Sequence, residues 1–79
     1  MNTWTDERGC HAYKDGWTCN LHPWTDISGE KCVSMRVISP SRAHINADRS
    51  NYQCTEDDAA RALETGRSIL TDFDFNATN

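Results

Sequence analysis

The dipeptide Asp15-Gly16 is the feature that most constrains the fold of this 79-residue chain. Both residue types tolerate a positive φ angle, so the pair is a preferred two-residue turn of a β-hairpin. A two-residue turn also determines how the flanking strands pair, which sets Tyr13 opposite Thr18. The more apolar face of this hairpin is predicted to point toward the core, and it carries Cys10, Ala12, Lys14, Trp17, Cys19 and Leu21.

Pro23 is predicted to interrupt the ladder, because proline lacks the amide donor that a regular ladder requires. A second hairpin is predicted to follow it. Its turn is either Ser28-Gly29 or Gly29-Glu30, and the returning strand runs over residues 31–38. The two turns differ in register by two residues, so both place Trp24 on the same face. That face carries the alternating apolar side chains of the returning strand: Val33, Met35 and Val37.

The sequence of residues 39–54 is compatible with two alternative secondary structures. The residues from 43 to 54 alternate weakly between polar and apolar, which favours short strands around a polar turn at 47–50. The alternative is a short helix that begins at Pro40 with Ser39 as its cap. Strands are the preferred prediction.

The region after residue 54 predicts a helix over residues 56–70. Thr55 is a preferred N-cap, and acidic residues in the first turn suit the positive end of the helix dipole. Asp57 and Arg61, one turn apart, are expected to pair. The strict alternation of residues 72–75 then predicts a short final strand. An apolar stripe runs along the helix at spacings of three and four residues: Ala59, Ala62, Leu63, Gly66, Ile69 and Leu70.

These elements predict a single α+β domain over residues 1–79. It is an antiparallel β-sheet built from hairpins, with one C-terminal amphipathic helix packed on one face. A chain of this length forms one core. The sequence has no apolar run close to the roughly 20 residues that cross a membrane. Its first residues lack the basic and apolar segments of a secretory signal, so a cytoplasmic location is expected.

The chain has four cysteines and three histidines. Three uses of these residues must be considered: a zinc site, a disulfide bond and a catalytic thiol. The one close pair is Cys19 and His22, and residues three apart on a strand point to opposite faces, which disfavours a structural zinc site. Cys10 and Cys19 lie diagonally across the hairpin, an awkward separation for a disulfide. Cys10 and His11 also point to opposite faces, so no Cys–His nucleophile is predicted. We expect buried cysteines, surface histidines, no cofactor and no catalytic residue, with a zinc-stabilised interaction module as the alternative.

The net charge of −4 is unevenly distributed along the chain. Residues 1–54 carry six acidic and six basic side chains, whereas residues 55–79 carry six acidic and two basic ones. A negative surface repels phosphate, so direct nucleic-acid binding is disfavoured and a basic protein surface is the expected partner. The simpler alternative is that the acids keep the protein soluble. The predicted partner-binding residues are Glu56, Asp57, Asp58, Glu64, Asp72 and Asp74.

Aromatic side chains provide a second candidate surface, because exposed aromatic residues often anchor interfaces. Trp4 lies outside every predicted element. His11 and Tyr13 lie on the face of the first hairpin that is predicted to point away from the core.

In its size, its acidity and its lack of catalytic or nucleotide-binding motifs, the chain resembles the small inhibitors that phages make against bacterial defence systems, anti-CRISPR proteins in particular. The resemblance rests on no specific residue. It implies a non-enzymatic inhibitor, located in the host bacterial cytosol, that binds a CRISPR effector complex and blocks recruitment or cleavage of DNA. It also implies that acidic side chains replace phosphates in a positively charged DNA-binding groove.

Overall fold

The computed structural model shows a five-stranded antiparallel sheet and one helix, so the expected α+β architecture is confirmed. It describes the backbone of residues 1–50 and 54–78 and the side chains of residues 1–48 and 54–69. The strands follow one another across the sheet in chain order. The elements are β1 (Asn2–Asp6), β2 (Gly9–Lys14), β3 (Trp17–Thr25), β4 (Lys31–Ile38), β5 (His44–Ser50) and α1 (Glu56–Thr78).

The hairpin of β2 and β3 has the turn and the register that the sequence predicts. Asp15 and Gly16 both adopt positive φ angles, 54° and 85°, as a type I′ turn requires. Tyr13 pairs with Thr18, and the ladder continues to the far end of the hairpin. The face predicted to be apolar packs against α1 and is called the inner face. The opposite side of the sheet is called the outer face.

The loop between β3 and β4 is longer than the predicted two-residue turn. It comprises residues 26–30, in which Gly29 adopts a φ angle of 88°. The Asp26 carboxylate closes the loop by accepting hydrogen bonds from the backbone N–H groups of Ser28 and Glu30, both at 2.9 Å. A side chain that bonds the backbone of its own turn therefore favours this five-residue loop over a tight turn.

The longer loop changes the face on which Trp24 lies. The pairing of β3 with β4 is shifted by one residue from the register of a Ser28-Gly29 turn and by three from that of a Gly29-Glu30 turn, and an odd shift moves a side chain to the opposite face. Trp24 pairs with Cys32 on the outer face, so the prediction that Trp24 shares a face with Val33 is wrong. The alternation within β4 is confirmed, because Val33 and Val37 are buried against the helix.

Both edge strands differ from expectation. Trp4 lies in β1, and all five residues of β1 are exposed, so no apolar alternation marks this strand. β5 continues through residues 47–50, where the sequence predicts a turn. The chain enters β5 through a turn in which the Arg42 N–H donates to the Ser39 carbonyl at 3.0 Å, and no helix begins at Pro40. The second short strand predicted before residue 54 falls largely outside the described residues.

Thr55 caps α1, as expected. Its hydroxyl accepts a hydrogen bond from the Asp58 N–H at 3.1 Å and donates one to the Asp58 carboxylate at 2.8 Å. The helix continues to Thr78, beyond the predicted end at residue 70. The strand predicted over residues 72–75 is wrong, since four alternating residues are too few to distinguish a strand from the continuation of a helix.

α1 packs on the inner face through small side chains and one leucine. Leu63 is fully buried, whereas Ile69 is 53% exposed and turns away from the sheet. The side chain of Leu70 lies outside the described residues. Gly66 lies so close to β4 that a Cβ atom there would be 2.7 Å from Val37, so glycine permits this approach. The buried core consists of Cys10, Ala12, Trp17, Cys19, Leu21, Val33, Val37, Ala59, Ala62 and Leu63.

Candidate binding surface

Two of the six acids predicted to bind a partner are held in contacts within the protein. The Glu56 carboxylate accepts hydrogen bonds from the hydroxyls of Thr3 at 2.9 Å and Thr5 at 3.1 Å, which connects the start of the helix to β1. The Asp58 carboxylate is buried and accepts a hydrogen bond from Arg61 at 2.9 Å. Both acids therefore stabilise the start of α1.

Asp57 and Glu64 are exposed on the helix. They are about two turns apart and so lie on the same side of α1. Arg61 lies between them and pairs with Asp58 instead of its predicted partner Asp57. Lys14 lies 4.0 Å from Glu64, and both side chains are about half exposed, so this pair contributes little to stability.

The remaining two predicted residues, Asp72 and Asp74, lie in the C-terminal part of α1, and their side chains are outside the described residues. Among the predicted acids whose side chains are described, Asp57 and Glu64 are thus the two that are exposed and accept no hydrogen bond. Within the described chain, the charge asymmetry seen along the sequence does not become a continuous surface of unpaired carboxylates.

The outer face of the sheet carries a row of side chains that crosses all five strands. Each residue in the row is directly opposite the next, so neighbouring Cβ atoms stand roughly 5 Å apart. This central row consists of Trp4 on β1, His11 on β2, Asn20 on β3, Arg36 on β4 and Asn46 on β5.

Direct contacts hold the central row in place. The rings of Trp4 and His11 stack with their centroids 5.1 Å apart and an interplanar angle of 22°. His11 Nδ1 lies 2.7 Å from Asn20 Oδ1. Arg36 Nε donates to Asn46 Oδ1 at 2.9 Å. Four of these five side chains are therefore oriented by a hydrogen bond before any partner binds.

Asp6 anchors His11 on its other side. His11 Nε2 lies 2.8 Å from Asp6 Oδ1, and the same oxygen accepts the backbone N–H groups of Arg8 and Gly9. The hydrogen bond from His11, and then those from the backbone, hold the pKa of Asp6 below its ordinary value. These neighbours leave His11 only 7% exposed, so the expectation of a surface histidine is wrong at this position. The other two histidines, His22 and His44, are exposed as expected.

A lowered pKa makes Asp6 a pH-dependent contributor to stability. The carboxylate stabilises the fold above its unfolded-state pKa of about 3.9 and loses this effect as the pH falls toward the folded-state value. Thermal denaturation of the parent protein and of Asp6→Asn between about pH 2 and pH 6 measures the effect. The parent is expected to melt at a higher temperature above about pH 5, with the difference shrinking below about pH 4. A difference that stays constant at low pH would contradict this role.

A groove of about 730 Å³ lies on the outer face beside the central row. Its lining includes Arg8, His22, Ser34, Arg36 and Asp48. His22 Nδ1 lies 2.8 Å from the Arg8 carbonyl oxygen, and the Ser34 hydroxyl donates to Asp48 at 2.8 Å. The lining thus contains two arginines and one aspartate.

Three aromatic side chains of the outer face are partly exposed: Trp4 at 41%, Tyr13 at 44% and Trp24 at 39%. Trp4 and Tyr13 lie on neighbouring strands at one side of the sheet, and Trp24 lies near the end of β3. Such side chains combine a large apolar ring with a polar atom and are common anchors of interfaces. Among the described residues, no second layer covers this face, since α1 packs on the inner one.

The cysteines are free thiols, three of them buried and Cys54 half-buried. Cys10 Sγ donates to the Cys54 carbonyl at 3.3 Å, and Cys54 Sγ donates to the Leu21 carbonyl at 3.6 Å. Burial raises the pKa of Cys19 to about 12 and is the main cause of the raised pKa values of Cys32 and Cys54. Thiols with raised pKa values keep their protons at neutral pH, unlike nucleophilic or metal-binding thiolates.

The alternative of a zinc site has no ligand cluster in the part of the chain that the structure describes. There, no three His, Cys, Asp or Glu side chains are grouped so that they could hold one metal ion. Cys19, the first residue of the pair considered from the sequence, is fully buried on the inner face, whereas His22 is exposed on the outer face.

Sequence reasoning singled out Trp4, His11 and Tyr13 as a candidate surface, but it placed Trp24 on the opposite face. It also did not single out three polar members of the central row, Asn20, Arg36 and Asn46. The sequence signal that could have found them is the polar side chain at every second residue of each strand. That signal shows that the residues point outward, but not that they stand in one row. The row depends on the register of four strand pairs, of which one was predicted correctly.

Within the described residues, no helix combines the length and the apolar character needed to span a bilayer. Comparisons of the chain with protein-family models, with curated proteins and with solved structures found no match.

Proposed function

We propose that the protein is a non-enzymatic protein-binding domain whose binding surface is the outer face of the sheet. The observation that carries the proposal is the partial exposure of Trp4, Tyr13 and Trp24 on the same sheet face as the groove, a face that no described element covers. The inner face is filled by α1. The outer face is therefore the side of the sheet on which the described chain offers a partner large aromatic rings.

The residue types of this face support the proposal. Tryptophan, tyrosine and arginine are enriched among the side chains that contribute most to protein–protein binding, and the outer face offers all three. Hydrogen bonds orient Arg36 and Asn46 in advance. Side chains that are already ordered lose little conformational entropy when a partner binds.

The titratable groups support binding over catalysis. Both ring nitrogens of His11 are engaged, by Asp6 and by Asn20, so neither is available to a substrate. Burial raises the pKa of the Cys19 thiol to about 12 and also raises that of Cys32, and protonated thiols are weak nucleophiles.

Substitutions on the outer face test the proposal. A partner captured from a cell lysate is first identified and purified, and its affinity is then measured by calorimetry. Tyr13→Ala and Arg36→Ala are each expected to weaken binding by about thirtyfold or more, because truncation of a hot-spot side chain costs about 2 kcal/mol or more. Thermal melts must show that both variants remain folded.

Asp57→Lys is the control on the opposite side of the molecule. It alters an exposed helix residue and is expected to bind the partner within about twofold of the parent protein. Loss of binding by Asp57→Lys, together with full binding by the two outer-face variants, would contradict the proposed surface.

A second candidate function uses the acids of the C-terminal third. Under this second candidate function, the protein is an anti-CRISPR-type inhibitor whose acidic side chains bind a basic, nucleic-acid-binding site of a host defence complex. The exposure of Asp57 and Glu64 on one side of α1 favours it. Asp57→Lys should then weaken binding, while Glu7→Lys, an equal charge reversal in the turn between β1 and β2, should not. Raising the salt concentration should mainly slow association.

A further inference from the structure

The groove on the outer face is lined by two arginines and one aspartate, although the whole protein carries a net charge of −4. The acidic residue of the lining is Asp48, whose carboxylate already accepts a hydrogen bond from Ser34. Neither arginine has a carboxylate within 4.0 Å among the residues described. Arg36 donates through Nε to Asn46, and its two Nη groups have no acceptor in the described chain.

His22 contributes its Nε2 atom to the groove. Protonation of the ring decides whether this atom donates or accepts a hydrogen bond. The other ring nitrogen, Nδ1, lies 2.8 Å from the carbonyl oxygen of Arg8. A carbonyl oxygen only accepts hydrogen bonds, so Nδ1 carries the hydrogen. In the neutral ring Nε2 is then an acceptor, which repels a carboxylate. In the protonated ring Nε2 is a donor, which binds one.

His11 controls the neighbouring amide of Asn20 in the same way. His11 Nε2 donates to the Asp6 carboxylate in both protonation states. When His11 is protonated, Nδ1 donates to Asn20 Oδ1, and the amide NH₂ is left for a ligand. When His11 is neutral, Nδ1 is an acceptor, so the amide must turn its NH₂ toward the ring and its oxygen toward the groove. Protonation of His11, like that of His22, therefore adds one hydrogen-bond donor to the groove, in this case the amide NH₂ of Asn20.

We propose that this groove binds a carboxylate of an acidic protein segment and that protonation of His11 and His22 strengthens the binding. This inference rests on the proposed function, because it assigns the chemistry of the partner at the same surface. Four charged groups face the two histidines from the surrounding elements: Asp6 on β1, Arg8 in the following turn, Arg36 on β4 and Asp48 on β5. Their charges cancel, so the two imidazolium charges decide the sign of the local field.

The same charges favour a protein segment over a nucleic acid. A bound nucleic-acid strand places several phosphates along its path, and each must be neutralised by a basic side chain. The groove offers two arginines and one repelling carboxylate, which suits a single bidentate carboxylate near Arg36.

Binding of a glutamate-rich decapeptide, labelled at one end and followed by fluorescence anisotropy, tests the inference. At about pH 5.5 glutamate is still ionised, whereas most histidine side chains are protonated. Affinity is expected to be about tenfold higher at this pH than at about pH 8. The analogue with glutamine at every glutamate should bind at least about tenfold more weakly at pH 5.5.

Variants locate the effect. Arg36→Gln is expected to remove most binding at both pH values. His22→Gln should reduce the pH dependence, whereas His44→Gln, which changes an exposed histidine outside the groove lining, should preserve it. Thermal melts at both pH values establish that each variant is folded.

Three outcomes overturn the inference. They are equal binding of the glutamine analogue, binding independent of pH, and tighter binding of a single-stranded oligonucleotide that is lost in Arg36→Gln. If the acidic peptide fails to bind but Tyr13→Ala and Arg36→Ala still weaken binding of the captured partner, the proposed function stands and the carboxylate assignment fails.

Discussion

Replacement of Gly9 by alanine is expected to lower the free energy of unfolding by about 3 kcal/mol or more, a large part of the stability of a small domain. Gly9 begins β2 with a φ angle of 139°, a conformation that residues with a Cβ rarely adopt. A Cβ atom there would lie 1.9 Å from the carbonyl oxygen of Leu21 on the neighbouring strand. Since the obstacle is backbone within a ladder, relief of the clash requires separation of β2 from β3.

Gly29→Ala is the matched control, and denaturant unfolding of both variants is the measurement. Gly29 also has a positive φ angle, 88°, but apart from its two chain neighbours no atom of the described residues lies within 4 Å of the position of its Cβ. Gly29→Ala is therefore expected to lower the free energy of unfolding only by the cost of a positive φ angle for alanine, about 1–2 kcal/mol. Equal losses in the two variants would show that the contact with Leu21 has no energetic role.

Leu63→Ala is expected to lower the free energy of unfolding by about 2–4 kcal/mol. Leu63 is fully buried and is the largest helix side chain in the described core. Its truncation removes apolar contacts and leaves a cavity between α1 and the inner face. The neighbouring core residues of the helix, Ala59 and Ala62, are too small to fill that space.

Ile69→Ala is the control for Leu63→Ala, because Ile69 lies on the same helix but is 53% exposed. Its expected loss is below about 1 kcal/mol, and the higher helix propensity of alanine offsets part of it. Chemical denaturation provides both values. A loss below about 1 kcal/mol for Leu63→Ala would contradict the packing of α1 on the sheet.

The sequence predicted the parts of the sheet that depend on local turn chemistry. Asp15-Gly16 permits one kind of turn, so the register of β2 and β3 followed from two residues. The loop over residues 26–30 could not be predicted in the same way. Its length depends on the bonds that the Asp26 side chain makes across it, and the resulting odd shift in register placed Trp24 on the face opposite to the predicted one.

The strand β1 and the central row depend on contacts between distant parts of the chain. β1 is exposed along its length, so its hydrophobic pattern gives no signal. It is held by its pairing with β2 and by the hydrogen bonds of Thr3 and Thr5 to Glu56, more than fifty residues away. The same Glu56 was predicted to bind a partner, because its charge is visible in the sequence and its contacts are not.

The central claim is that a partner binds the outer face, and the three tryptophans test it directly. Trp4 and Trp24 are partly exposed on that face, whereas Trp17 is 9% exposed in the core. Each contributes one indole N–H signal to the ¹H–¹⁵N spectrum of the labelled protein. Addition of the purified partner is predicted to shift or broaden the signals of Trp4 and Trp24 and to leave that of Trp17 nearly unchanged. Unchanged signals of Trp4 and Trp24, with shifts confined to the backbone amides around Asp57 and Glu64, would contradict the account.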